Sequence, residues 1–167
     1  MCQGGFDQAN PRYMGMLGMH GTKTAALALQ NCDLFVAVGT RFSDRVTCNA
    51  DLFAQHCPVI QIDIDPAEFN KNIEVDVKLK GDAKAIVAEL LRRLPQKENW
   101  EWMNRIHQWQ KKYPLVHQPG REGTVTPQQV LETLDRLTDG KAILATEVGQ
   151  HQMWAAQFYR FRSPRQF

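Results

Sequence analysis

The chain has few cysteines, no long apolar run and no excess of charge of either sign, and each absence removes a class of protein. Only four cysteines occur in 167 residues, Cys2, Cys32, Cys48 and Cys57. None forms a Cys-x-x-Cys pair and no histidine follows at zinc-finger spacing, which speaks against a structural metal site and against a disulfide scaffold. Cys32 and Cys57 sit beside apolar runs and read as core thiols of a protein in a reducing cytoplasm. The longest apolar run, Leu34 to Val38, is far too short to span a bilayer, so no membrane partner is expected. Met1 to Gly5 has neither a basic n-region nor an apolar h-region, so no signal peptide is expected there. Net charge is +2 and the basic residues near the end (Arg160, Arg162, Arg165) are sparse, so there is no basic stripe for nucleic acid. With 43% hydrophobic and 23% charged residues, the composition is that of a soluble globular chain.

What is present is an alternation of helix and strand patterns. Thr22 to Asn31 reads as a helix with Thr22 as its cap. Leu34 to Val38 (LFVAV), ending at Gly39, suits a strand buried on both faces of a parallel sheet. Asn49 to His56 offers one or two helical turns before Pro58, and Val59 to Ile64 (VIQIDI) is a second strand, stopped by Asp65-Pro66. Val75, Val77 and Leu79 alternate with charged residues, as in a strand nearer the sheet edge. Gly81-Asp82 opens a helix over Ala83 to Leu94. Trp100 to Tyr113 is a helix with Trp102, Ile106 and Trp109 on one face. Thr126-Pro127 begins another, running to about Leu137, because a cap residue followed by proline at the first helical position starts a helix well. Asp139-Gly140 then turns into a strand, Ala142 to Thr146. The fold class is therefore α/β: the C-terminal part of a doubly wound parallel-sheet domain over residues 1–94, an interdomain linker with one helix over 95–125, and the start of a second α/β domain over 126–167. A lone final strand cannot satisfy its backbone groups, so the chain reads as truncated at both ends.

Five segments carry chemistry. Gly15-Met16-Leu17-Gly18-Met19-His20-Gly21 stands ahead of a helix, where glycines let backbone amides approach a phosphate, or merely pack a tight loop. Gly39-Thr40-Arg41-Phe42-Ser43-Asp44-Arg45 follows a strand, and its two arginines suit a diphosphate, with Asp44 orienting one of them; an ion-paired surface loop is the plain alternative. Asp63 ends the next strand, where a carboxylate accepts hydrogen bonds from a ribose or similar polyol, while Asp65 reads as a helix cap. Gly81-Asp82-Ala83 starts a helix and is equally a plain cap. Glu147-Val148-Gly149-Gln150-His151 follows the last strand pattern and offers donors to an anion, or a polar helix start. The first four together describe a large nucleotide along the C-terminal edge of a parallel sheet. On chemistry alone FAD, NAD and a coenzyme A ester all fit.

Two stretches are more specific than their chemistry. GMLGMHGT (Gly15 to Thr22) and VGQHQMWAAQ (Val148 to Gln157) resemble the acetohydroxyacid synthase large-subunit family, as do RFSDRVT (Arg41 to Thr47), IDIDPAE (Ile62 to Glu68) and GDA (Gly81 to Ala83), in the same order at compatible spacing. The resemblance implies an FAD-binding middle domain followed by the start of a thiamine-diphosphate-binding domain. It implies an FAD site at Leu17, Gly18, Met19, His20, Gly39, Thr40, Arg41, Asp44, Arg45, Val46, Asp63, Ile64, Gly81, Asp82 and Ala83. Val148, Gly149, Gln150 and His151 resemble the loop that receives the thiamine diphosphate phosphates. The implied reaction decarboxylates pyruvate and joins the two-carbon unit to pyruvate or 2-oxobutyrate, at the start of branched-chain amino acid synthesis. FAD is required in the family without net redox chemistry, and the parent is expected in the cytoplasm as a homodimer or tetramer with a regulatory small subunit.

Departures and absences temper what the resemblance implies. Ser43 stands where the family usually has Asp, Cys48 where it has Gly or Asn, and Glu147 where it has Asp or a small residue. The catalytic Glu belongs to a domain not represented in these residues. The Gly-Asp-Gly motif for Mg²⁺ is absent, since Gly81-Asp82 is followed by Ala83. These residues alone are therefore expected to be inactive. Rival expectations are a stand-alone FAD-binding module over residues 1–94, a nicotinamide-dependent redox enzyme, and a different thiamine-dependent 2-oxo acid decarboxylase.

Overall fold

A computed structural model describes residues 3–167, which leaves Cys2 outside the described residues. Contacts divide the chain into two compact units, one formed by the residues up to Ala25 with Ile106–Phe167, the other by Ala26–Arg105. In chain order the helices are α1 (Lys23–Asn31), α2 (Asp44–Thr47), α3 (Ala83–Arg93), α4 (Trp100–Lys112), α5 (Pro127–Thr138) and α6 (Gln150–Phe158). The strands are β1 (Phe35–Val38), β2 (Val59–Asp63) and β3 (Val77–Lys80), with short 3₁₀ turns at Ala50–Leu52 and Pro66–Glu68.

The Ala26–Arg105 unit is built on a parallel sheet of order β1-β2-β3. Phe35 pairs with Val59 and Val38 with Ile62; Ile60 pairs with Val77 and Asp63 with Lys80. Central strand β2 is the most buried of the three, with Val59, Gln61, Ile62 and Asp63 all covered. Strand β3 lies at the edge, as its charged alternation requires. Strand β1 corrects an expectation. Its apolar run is not buried on both faces: Ala37 is covered, whereas Val36 is 44% and Val38 46% exposed. A continuous apolar run reports what a strand tolerates on each face, and only neighbouring layers decide what is covered. On the covered side Phe35, Phe42 and Phe53 form a ring cluster, with centroids 5.7–6.3 Å apart in tilted and edge-on arrangements.

Helix α3 packs against β2. Asp82 caps it by accepting a hydrogen bond from the Ala85 N–H at 3.0 Å. It stops at Leu94, whose extended backbone is what the following Pro95 enforces.

In the other unit, α5 begins with a full capping box. Thr126 Oγ1 accepts from the Gln129 N–H, Gln129 Oε1 accepts from the Thr126 N–H, and Pro127 occupies the first turn. Helices α5 and α6 pack together. Beyond α6, the rings of Tyr159, Phe161 and Phe167 meet in sequence in tilted pairs, with centroids 4.9 and 5.0 Å apart. The strand expected over Ala142 to Thr146 does not form. The Ala142 N–H donates to Tyr159 Oη at 2.9 Å and the Leu144 N–H to the Gln166 carbonyl at 2.8 Å. A strand needs a ladder, and no second strand lies beside this segment among the described residues. Among the described residues no helix is long and apolar enough to cross a membrane.

Candidate functional site

Parallel pairing brings the carboxyl ends of all three strands to one edge, where ligands bind in open α/β sheets. The backbone ties these ends together. The Gly39 N–H donates to the Ile62 carbonyl at 2.8 Å, and the Gly81 N–H to the Asp63 carbonyl at 2.9 Å. Gly39, Asp63, Ile64, Gly81, Asp82 and Ala83, drawn from three separate stretches of sequence, thus lie along a single edge. Gly39 has φ +62, a conformation that favours glycine, and a Cβ there would point into open space. Asp63 is buried; its Oδ1 accepts from the Asp65 N–H at 2.9 Å. Asp65 caps the Pro66–Glu68 turn, as its sequence context suggests.

The segment after β1 is held from beneath. Phe42 is 2% exposed and anchors it in the ring cluster. Gln61, fully buried on β2, donates from Nε2 to the Thr40 carbonyl at 3.0 Å and to the Glu68 carbonyl at 3.4 Å, while its Oε1 is buried without a protein partner. Asn72 Nδ2 donates to the Arg41 carbonyl at 2.9 Å. With the backbone pinned at Thr40, Arg41 and Phe42, the side chains of Arg41, Asp44 and Arg45 are left on the surface and Val46 half-buried. Asp44 and Arg45 approach to 4.0 Å, a solvent-exposed pairing that contributes little to stability. Both belong, with Val46, to helix α2, a turn that sequence patterning did not anticipate. Gln61, Asn72 and Phe42 are the positioning residues missed by sequence reasoning. The polar Gln61 between Ile60 and Ile62 was the available signal, because a fully buried amide needs partners.

The Leu17–Gly18–Met19–His20 segment belongs to the other unit. It is a tight loop: the Gly21 N–H donates to the Gly18 carbonyl at 2.8 Å and the Thr22 N–H to the Met16 carbonyl at 2.9 Å. A Cβ at Gly21 would meet both carbonyl oxygens at 2.7 Å, so no other residue fits there without moving the backbone. Thr22 Oγ1 accepts from the Ala25 N–H at 3.1 Å, the expected cap. A pocket of about 200 Å³ adjoins the loop, lined among others by Tyr13, Gly15, His20 and Gln157. Gln157 Nε2 donates to the His20 carbonyl at 3.3 Å, and burial raises the Tyr13 pKa.

In the same unit, Gly149 precedes α6 without any side-chain cap, and Gln150 and His151 open the helix. The unfilled amides of a helix start are an anion site in general. A Cβ at Gly149 would lie 2.9 Å from the His151 ring, so glycine is what allows the imidazole to fold over the loop. Val148, Gln150 and His151 are exposed. These features fit a phosphate group. Asp82, the carboxylate of the Gly-Asp pair at the start of α3, accepts from the Ala85 N–H as a helix cap.

A larger cleft of about 590 Å³ lies elsewhere, lined by residues from Ala50 to Asp76 including His56, Cys57 and Val59. Val59 begins β2, so this cleft is at the opposite end of the strand from Asp63. Beside it Cys32 is a poor nucleophile at neutral pH, since burial and the neighbouring Cys57 sulfur push its thiol up to about 11.

Comparison with known proteins adds an independent line. The family profile described as "Thiamine pyrophosphate enzyme, central domain" matches residues 1–90. Acetolactate synthase of Mycobacterium leprae is 43% identical over 171 residues, covering 99% of this chain and 27% of that protein. The acetolactate synthase large subunit of Cyanidium caldarium is 44% identical over 167 residues, covering 96% of this chain and 28% of that protein. That of Parasynechococcus marenigrum is 44% identical over 164 residues, covering 96% and 26%. The chain thus spans little more than a quarter of the length of these relatives. A profile match over more than half of the residues shows the family: the chain belongs to the thiamine pyrophosphate enzymes, with residues 1–90 corresponding to their central domain.

Proposed function

We propose that these residues form the FAD-holding part and the first diphosphate-anchoring loop of an acetolactate synthase large subunit. The whole protein would decarboxylate pyruvate and join the two-carbon unit to pyruvate or 2-oxobutyrate, with thiamine diphosphate supplying the carbanion chemistry. The observation that carries the reading is similarity at 43–44% identity, over 96–99% of the chain, to proteins of that name. The sheet edge supports the FAD assignment: Gly39, Asp63 and Gly81 are tied together by backbone hydrogen bonds, with Arg41 and Arg45 exposed beside them.

In this reading Gly39, Thr40, Arg41, Asp44, Arg45 and Val46 hold the FAD diphosphate region, the arginines by charge-assisted hydrogen bonds. Asp63 and Ile64 meet a polyol, Gly81, Asp82 and Ala83 line the start of α3, and Leu17, Gly18, Met19 and His20 supply a further contact segment. Val148, Gly149, Gln150 and His151 receive the thiamine diphosphate phosphates at the start of α6. No Mg²⁺ ligand is assigned to this chain, and by themselves these residues do not turn over substrate. Pyruvate and 2-oxobutyrate are substrates of the assembled parent, a homodimer or tetramer joined by a regulatory subunit.

An FAD titration of the purified chain tests this, following flavin fluorescence and thermal melting together. Saturable quenching at one FAD per chain with a raised Tm is expected, as mass action requires of a ligand that binds only the native state. NAD and coenzyme A esters should not compete. Absence of saturable FAD binding in a chain that melts cooperatively would overturn the assignment of the edge.

A further inference from the structure

Three soft or borderline ligands that the sequence scatters converge in the Ala26–Arg105 unit. Cys32 lies just after α1, and His56 and Cys57 lie just before β2. The Sγ atoms of Cys32 and Cys57 and a ring nitrogen of His56 all lie within 4.8 Å of one another. The two sulfurs are 3.6 Å apart and both cysteines are free thiols. A tetrahedral zinc ion with bonds of about 2.3 Å to each sulfur would hold them about 3.8 Å apart. The observed 3.6 Å corresponds to a sulfur–metal–sulfur angle of about 103°, so little movement is required. Cys57 is buried, Cys32 half-buried and His56 exposed, which leaves the imidazole side open to an arriving ion. His56 and Cys57 also line the 590 Å³ cleft, which gives the fourth coordination position access to water.

We propose that Cys32, His56 and Cys57 form a three-ligand site for a borderline-soft divalent cation of the zinc class, a clip that pins the end of α1 to the entry of β2. It stands apart from the cofactor edge, at the other end of β2, and does not depend on the FAD reading. Two thiolates and an imidazole select zinc-class ions over magnesium or calcium, which need hard oxygen donors. Cys32 and Cys57 are 25 positions apart in sequence and come together only in the folded unit, so the binding free energy of the ion adds to the stability of the fold.

The test is a Co²⁺ titration of the full chain under reducing conditions. The expected result is a thiolate-to-cobalt charge-transfer band that saturates at one equivalent and is bleached by Zn²⁺, together with a Zn²⁺-dependent rise in Tm. Cys32→Ser and Cys57→Ser should each lose the one-equivalent site, while Cys48→Ser and Cys2→Ser keep it. His56→Gln should weaken binding by more than about a hundredfold, beyond what loss of an outer-shell partner costs. X-ray absorption of the zinc-loaded wild-type chain decides the matter even where Cys57→Ser fails to fold. Two sulfurs at about 2.3 Å and a nitrogen at about 2.0 Å would support the site. No charge-transfer band, a band that survives Cys32→Ser, or a Cys32–Cys57 disulfide on air oxidation in a chain that takes up no metal when reduced would each overturn it.

Discussion

Gly39→Ala separates the two roles available to the glycine that follows β1. Its φ of +62 places it in the left-handed region, and a Cβ would have no protein atom within 4 Å. The substitution therefore costs backbone strain without a clash. That strain is roughly 1–2 kcal/mol for an L-residue, offset by about 0.4–1 kcal/mol from the stiffer unfolded chain. The net loss is about 1 kcal/mol, which lowers Tm by about 2–4 °C for a chain of this size. If the open space is where FAD approaches the strand end, the added methyl also weakens FAD binding, by about tenfold or more for a contact worth about 1.4 kcal/mol. Gly123→Ala is a matched control, because Gly123 has φ +75 and an equally open Cβ direction in a loop of the other unit. Melting curves and FAD titrations of both variants provide the assay. A similar fall in Tm with loss of FAD affinity only in Gly39→Ala is expected. Unchanged FAD affinity in Gly39→Ala, at the same loss of Tm, would show that Gly39 serves the turn alone and refute the edge as the cofactor site.

Phe42→Ala removes the anchor of the arginine loop from the ring cluster and should cost about 3–5 kcal/mol in urea unfolding, with FAD affinity falling as the loop loosens. Thr126→Ala deletes the capping box of α5 and should cost about 0.5–2 kcal/mol, read as a lowered urea midpoint without effect on FAD binding. The His117 pKa is raised by the Gln118 carbonyl and then by Glu132, 3.2 Å from its ring. Its protonated form is therefore favoured on folding. That contribution is complete below about pH 6.5 and is lost as pH rises through the folded-state pKa. Relative to His117→Gln, the wild-type Tm advantage should shrink over that rise, and an advantage that grew with pH would contradict the geometry.

Local signals were legible where they act within a few residues. Thr126-Pro127 starts α5, Asp65 and Asp82 cap their turns, and Pro95 ends α3, because a cap or a fixed φ operates on its own backbone neighbours. The strand β2 and the charged edge strand β3 were readable from their side-chain patterns. The motifs GMLGMHGT and VGQHQMWAAQ identified the family from the residues alone. Tertiary structure alone decided the rest. Ala142 to Thr146 has the pattern of a strand but no second strand beside it. Val36 and Val38 are apolar yet exposed, since nothing in the described residues covers that face. Gln61 reaches Thr40 across 21 positions, and Cys32 reaches Cys57 across 25. Spacing rules register ligands and tethers that are near in sequence, whereas a parallel sheet joins segments through long crossovers, so contacts of this kind exist only once the strands have paired.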